Sequence, residues 1–165
     1  SFFNGFFKTG DFGYFDKNGF LVITNRKKDL IKTSSGKYVV PQKIINLFKK
    51  HPFISHVHLH GDNKKYIVAL ITLNQKLIEA YAHQHNIAYR NYQSLIKTPE
   101  IRSLVQGIVK EVNKDLPSHE TIKYFYILPY DFSVETGELT PSLKVKRSFC
   151  DKKYKKIIDS LYELS

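Results

Sequence analysis

Lys144 stands in the setting that most suggests chemistry, the stretch Gly137-Glu138-Leu139-Thr140-Pro141-Ser142-Leu143-Lys144-Val145-Lys146-Arg147. A single ammonium on a short loop stiffened by proline can cap negative charge that develops on a transferring phosphoryl or acyl-phosphate group. The same residues also read as a plain loop leading into the last helix. A second polar region lies near the start, in TGDFGYFDKNGFLVITNRKKDLIKTSSGKYVVP. Asp11 can accept hydrogen bonds from two vicinal ribose hydroxyls, or be an ordinary turn aspartate. Arg26, Lys27, Lys28 and Lys32 form a cationic cluster. Arginine offers phosphate or ribose oxygens a rigid fork and lysine a mobile point charge, although such a run is more often a solvated surface. Ser34-Ser35-Gly36-Lys37 can cradle an anion through its turn amides or serve as a simple hairpin turn. Its spacing is not that of a Walker loop. Gly36 also lets a slender ligand arm pass close to the backbone.

Other residue types point away from chemistry. His56, His58 and His60 alternate with Val57 and Leu59. That pattern predicts a strand with one packed face and one wet face carrying the histidines. No cysteine or carboxylate group accompanies them at a structural zinc spacing, so no metal site is expected. Cys150, the single cysteine, excludes an intrachain disulfide and reads as an inert core residue. Phe12, Tyr14, Phe15, Phe20, Tyr124, Phe125 and Tyr126 invite an RNA-stacking reading, but they cluster or alternate as core residues do. The formal charge of +11 favours anionic partners without choosing among nucleotides, coenzyme phosphates, nucleic acid and acidic membrane.

These side chains need elements to hold them. A hairpin is predicted over 13–25, turning at Asp16-Lys17-Asn18-Gly19, where Asn-Gly accepts positive φ. A smaller hairpin follows over 30–40, turning at Ser34-Ser35-Gly36. Asn25-Arg26-Lys27-Lys28-Asp29 between them is the candidate domain boundary. Pro41 opens a helix with Ile44, Ile45 and Phe48 on its apolar face. Strands are predicted over 55–59, 66–73 and 122–128, and a helix over 75–85. Thr98 and Pro99 cap and start a helix striped by Ile101, Leu104, Val105, Ile108, Val109, Val112 and Leu116. A last helix is predicted from Asp151, with Tyr154, Ile157, Ile158 and Leu161 on one side. The sum is an α+β fold: a short antiparallel or mixed sheet covered by helices. The aromatic start without methionine reads as the middle of a longer protein, and neither a bilayer-spanning run nor a signal peptide is recognisable.

The run GFFKTGDFGYFDKNGFLVITNRKKDLIKTSSGKYVVPQKI closely resembles the junction between the large and small domains of AMP-forming long-chain acyl-CoA synthetases. GELTPSLKVKR resembles their late catalytic-lysine loop, and YKKIIDSLY their last helix. The resemblance implies that residues 1–25 end a large adenylate-forming domain and that 26–165 form a mobile C-terminal lid. It implies a ligase that activates a long-chain fatty acid with ATP to acyl-AMP and pyrophosphate, then forms acyl-CoA. Asp11 and Arg26 would hold the nucleotide, Lys28 would be the hinge, and Ser34, Ser35 and Gly36 would face the pantetheine arm. Lys144 would be catalytic, bridging carboxylate and α-phosphate. ATP, Mg2+ and coenzyme A are the implied small molecules, with ATP and Mg2+ bound mainly by the large domain. This piece alone is then expected to be inactive. Many adenylate-forming enzymes carry glycine at the position of Leu143, a departure the long-chain branch commonly shares, and Asn25 stands where aspartate is common.

The large N-terminal domain of the same chain is the implied partner, and the expected setting is cytoplasmic, with peripheral contact to a membrane. Nucleic acid is disfavoured. Two alternatives remain at this point: a ligase for another carboxylate or a carrier-protein-linked acyl chain, and, from another class, a basic RNA-binding or membrane-adaptor module.

Overall fold

A computed structural model of the chain describes the backbone at residues 2–3, 6–7, 11–15, 21–26 and 30–164, and side chains at 30–164. In chain order the first strands are β1 (Phe2–Phe3), β2 (Phe6–Phe7), β3 (Asp11–Phe15) and β4 (Leu21–Arg26). They pair in the order β1-β2-β3-β4. The β3–β4 hairpin is longer than the sequence pattern indicates. It begins at Asp11 and ends at Arg26, and these two residues are Cα partners across the strands. Its turn at 16–19, and Lys27 and Lys28 beyond it, lie outside the described residues.

A second hairpin joins β5 (Ile31–Lys32) to β6 (Tyr38–Val39), followed by helix α1 (Pro41–Phe48). Pro41 takes the first helical turn, where its missing N–H costs nothing. The main sheet is mixed. β7 (Ile54–His60) is antiparallel to β8 (Ile67–Leu73), and β8 is parallel to β9 (Ile122–Ile127). The β8–β9 crossover carries α2 (Gln75–Gln84), the short α3 (Tyr92–Leu95) and α4 (Pro99–Lys114). A parallel pair needs such a connection because the chain must return to the same end of the sheet.

All seven residues of β8 are buried. Ile67, Ala69, Ile71 and Leu73 pack into the cluster under α1, α2 and α4, with Ile44, Ile78 and Val105. Val68 and Leu70 face a second cluster with Cys150, Tyr154, Ile158 and Leu161. A strand covered on both faces loses its alternation, which is why IVALITL reads as one apolar run. Thr98 caps α4 by accepting from the Ile101 N–H, a contribution of about 1 kcal/mol. The Asn113 side chain then exchanges two hydrogen bonds with the backbone of Ile122 (2.9 and 3.0 Å), so the end of α4 fixes the start of β9.

Two features depart from the sequence reading. The last helix begins before Asp151 and is broken: α5 (Arg147–Lys153) and α6 (Lys155–Tyr162) meet at Tyr154, whose ψ of 22° is not helical. The second face of the main sheet is not wet either. His58 is 1 % exposed, because α5 lies across β7 and brings Asp151 onto it. Cys150 is buried, and burial pushes its thiol up to about 12, which keeps it a protonated core residue.

Candidate functional site

Lys144 is exposed at the end of a closed turn. Leu139 bridges Val145 in antiparallel fashion, and the Lys146 N–H donates to Glu138 O at 2.7 Å. Above this short ladder one residue makes most of the bonds. The Thr140 N–H donates to Lys144 O at 2.8 Å, and Thr140 O accepts from the Leu143 N–H at 2.8 Å. Thr140 Oγ1 accepts from the Lys144 N–H at 3.1 Å and lies 3.0 Å from Ser142 Oγ. Leu143 consequently adopts φ +67°, the left-handed region, which costs a side-chain-bearing residue roughly 1–2 kcal/mol.

The root of the turn is a buried carboxylate that the sequence reading missed. Glu138 is 0 % exposed. It accepts from Lys153 Nζ at 2.7 Å, from the Tyr154 hydroxyl at 2.7 Å and from the Thr136 hydroxyl. Burial alone would raise Glu138, yet these donors outweigh it and hold the carboxyl at about 2. Burial and the same hydrogen bond push the Tyr154 phenol up. Gly137 just before it has φ +96°, and a Cβ there would meet the Phe149 ring at 2.6 Å. The Lys144 turn is thereby bolted to the α5–α6 junction.

Arg147 is not part of the exposed basic loop. Its Nη2 donates to Leu30 O at 3.2 Å, and Nη1 lies 3.8 Å from Asp62 Oδ2. Asp62 also accepts from the Lys32 N–H at 3.2 Å. Arg147 and Asp62 therefore tie the far side of the Lys144 turn to the first residues of the β5–β6 hairpin.

Lys144 borders an open groove between its turn, α1 and β7. One cavity of about 370 Å³ is lined by Gln42, Ile45, Phe48, Ile54, Leu143 and Lys144, among others. A neighbouring one of about 390 Å³ shares Gln42, Ile45 and Lys144 and adds Lys146 and Arg147. Ser34, Ser35 and Gly36 lie outside both linings and occupy a separate hairpin turn. Gly36 has φ +84°, and a Cβ at this position would find nothing within 4 Å, so the glycine serves the turn and leaves open space above it. The anion cradle considered for this turn is not free. The Ser34 N–H donates to Lys64 O (2.9 Å) and the Gly36 N–H to Thr33 O (2.9 Å).

The histidine strand is tied into the fold through carboxylates. Asp151 Oδ1 accepts from His58 Nε2 and His60 Nδ1, both at 2.8 Å. Asp131 accepts from His56 Nδ1 (2.9 Å) and the Thr72 hydroxyl (2.7 Å), closing the segment that leads from β9 toward the late turn. Among the described residues no group of three His, Cys, Asp or Glu side chains is placed to hold a metal ion. Burial lowers His58 below its usual range, against the pull of Asp151. Its Nδ1 is buried without a partner, so a second ring proton would have nothing to bond. Burial would raise Asp151, but the two imidazoles outweigh it and hold it well below the carboxylate range.

Neutral His58 in the fold and protonated histidine in the unfolded chain mean that the unfolded state binds more protons as pH falls through about 6.5. Stability is therefore present above that pH and lost below it, with a further loss below about pH 4 as Asp151 is forced to protonate. Urea unfolding of His58→Gln should show a midpoint that changes less between about pH 7 and about pH 5 than the parent's. Parallel pH profiles would remove His58 from this account.

With the geometry in place, comparison with known proteins is decisive about family. Residues 28–165 match the AMP-binding enzyme C-terminal domain, and the chain belongs to that family of adenylate-forming enzymes. It is 39% identical over 163 residues to the long-chain-fatty-acid–CoA ligase FadD15 of Mycobacterium tuberculosis, covering 98% of this chain and 27% of that protein. It is 34% identical over 165 residues to long-chain-fatty-acid–CoA ligase 6 of Rattus norvegicus, covering 98% of this chain and 24% of the relative. The chain thus spans about a quarter of the length of these curated relatives. In fold it is similar to the adenylation domain of a carboxylate reductase from Mycobacterium chelonae, with TM-score 0.71, 22% identity and coverage of 96% of this chain and 24% of that one. The corresponding domain from Segniliparus rugosus, in complex with AMP and a co-purified carboxylic acid, gives TM-score 0.66 at 20% identity, covering 98% and 25%.

Proposed function

We propose that this chain is the C-terminal portion of a long-chain fatty acid–CoA ligase, which activates the carboxylate with ATP to acyl-AMP plus pyrophosphate and then forms acyl-CoA. The observation that carries the reading is an exposed Lys144 on a turn hydrogen-bonded at both ends and rooted on a buried glutamate. Long-chain ligases among its relatives, similar over nearly the whole chain, support the substrate class.

In this reading residues 1–25 close the large domain, 26–165 form the lid, and Lys28 is the hinge between them. Asp11 and Arg26, Cα partners at the base of the β3–β4 hairpin where the two domains meet, hold the nucleotide. Lys144 places its ammonium between carboxylate and α-phosphate, where negative charge gathers as the adenylate forms. Ser34, Ser35 and Gly36 admit the pantetheine arm of coenzyme A after the lid has turned. ATP and Mg2+ are held mainly by the large domain. No helix among the described residues is long and apolar enough to cross a membrane. A cytoplasmic enzyme that touches the membrane peripherally, where fatty acid partitions, is the setting we assign.

ATP–pyrophosphate exchange by the full-length enzyme across carboxylates of graded length tests the substrate class, followed by coenzyme A and a carrier protein as competing acceptors. Exchange concentrated on long fatty acids with coenzyme A as acceptor supports the reading. Exchange confined to aryl or short acids, or transfer to the carrier alone, defeats it. Gly36→Val should raise KM for coenzyme A roughly tenfold while exchange stays intact, because a branched side chain at positive φ both strains the turn and fills the space above it. Unchanged coenzyme A kinetics would remove this turn from the acceptor path.

A further inference from the structure

Leu143 combines two costs on one residue. It holds a left-handed backbone, and the residue is 61 % exposed. The backbone cannot relax locally, since Thr140 fixes both the Leu143 and the Lys144 amides. A glycine or asparagine would meet the same turn with less strain, whereas the leucine adds an apolar side chain at the rim of the groove lined by Ile45, Phe48 and Ile54 and leaves most of it uncovered. An exposed apolar side chain held in a strained pose points to a contact outside the described residues. Most of the relatives' length also lies outside this chain.

We propose that Leu143 is a docking residue for the adenylation pose: when Lys144 enters the cleft, Leu143 enters with it and seats on an apolar wall of the large domain. This rests on the role proposed for Lys144. Backbone neighbours sit about 3.8 Å apart, so a lysine delivered to a cleft brings the preceding side chain to the cleft wall. A charged tip alone would be held by ligand phosphate only. An adjacent apolar anchor favours the closed lid whether or not the substrate is long, because its partner is protein and not the acyl chain.

The experiment uses the full-length enzyme as parent, Leu143→Gly, Leu143→Asn, Leu143→Met and Lys144→Ala. It measures pyrophosphate exchange, thioester formation from preformed acyl-adenylate, and Tm. Glycine and asparagine should leave Tm unchanged or higher and lower kcat/KM for exchange roughly ten- to a hundredfold, with the second half-reaction untouched and methionine restoring most of the loss. The loss should be equal for short and long carboxylates. Exchange within about twofold of the parent, equal losses in both half-reactions, or a loss that grows with chain length would each overturn the proposal. Should Lys144→Ala itself leave exchange intact, the functional reading fails first, and that outcome is distinct from any Leu143 result.

Discussion

Replacing Lys144 by alanine in the full-length enzyme should slow adenylate formation by roughly a hundred- to a thousandfold and leave thioester formation from preformed acyl-adenylate close to normal. The size follows from what one positioned donor contributes where charge develops in a dry cleft. The selectivity follows from timing, because the ammonium is needed only while carboxylate and α-phosphate react. The fold should survive, as Lys144 is exposed and the bonds that shape its turn come from backbone and from Thr140. Single-turnover kinetics of each half-reaction, with Tm measured alongside, check this. Equal losses in the two halves would mean that Lys144 holds the nucleotide in general and has no role tied to adenylation.

Glu138→Ala should produce the largest loss of stability, about 2–4 kcal/mol. Lys153 can return to water, since a third of its side chain is already exposed, but the Tyr154 hydroxyl loses its acceptor inside the fold. Glu138→Gln keeps an acceptor and loses the charge, so it should fall between the two. The carboxyl stands at about 2 in the fold against an ordinary value of 4.5. Its contribution is therefore complete above the ordinary value and is lost as pH falls from there toward the folded one. The alanine penalty should shrink when urea unfolding is repeated at about pH 3 instead of about pH 7. A penalty independent of pH would show that the charge is not what Glu138 supplies. In the full-length enzyme the same variant should also weaken adenylation more than thioester formation, since the Lys144 turn is built on this residue.

What the sequence makes legible here is local. Pro41 and Thr98-Pro99 mark helix starts because proline and the cap act within one turn of themselves. The β5–β6 hairpin is visible because Gly36 must take positive φ. The continuous run of β8 is also readable once both faces of the sheet are covered. The misses are contacts across long stretches of chain. The alternation of His56, His58 and His60 looks like a wet face, and only the arrival of α5 with Asp151, some ninety residues later, makes it an interior one. Tyr154 breaks the last helix where the apolar stripe Cys150, Tyr154, Ile158 and Leu161 runs on without a seam. Short α3 follows from the Asn91–Ser94 capping box, a pair too common to identify alone. Asp11, Arg26 and Lys144 stand out as candidates through the motifs around them, and their roles remain the ones proposed above. Glu138, adjacent to the lysine loop, is not, because an acid beside a basic loop looks solvated until its partners on α5 are known.

The central claim is that two turns of one small domain serve one cleft in succession. Its most direct test is a crossed comparison of the two half-reactions in Lys144→Ala and Gly36→Val. The account predicts opposite patterns, with the lysine variant failing in adenylation alone and the glycine variant failing in acyl transfer to coenzyme A alone. Both variants slowing the same half-reaction, or each slowing both to the same degree, would contradict it.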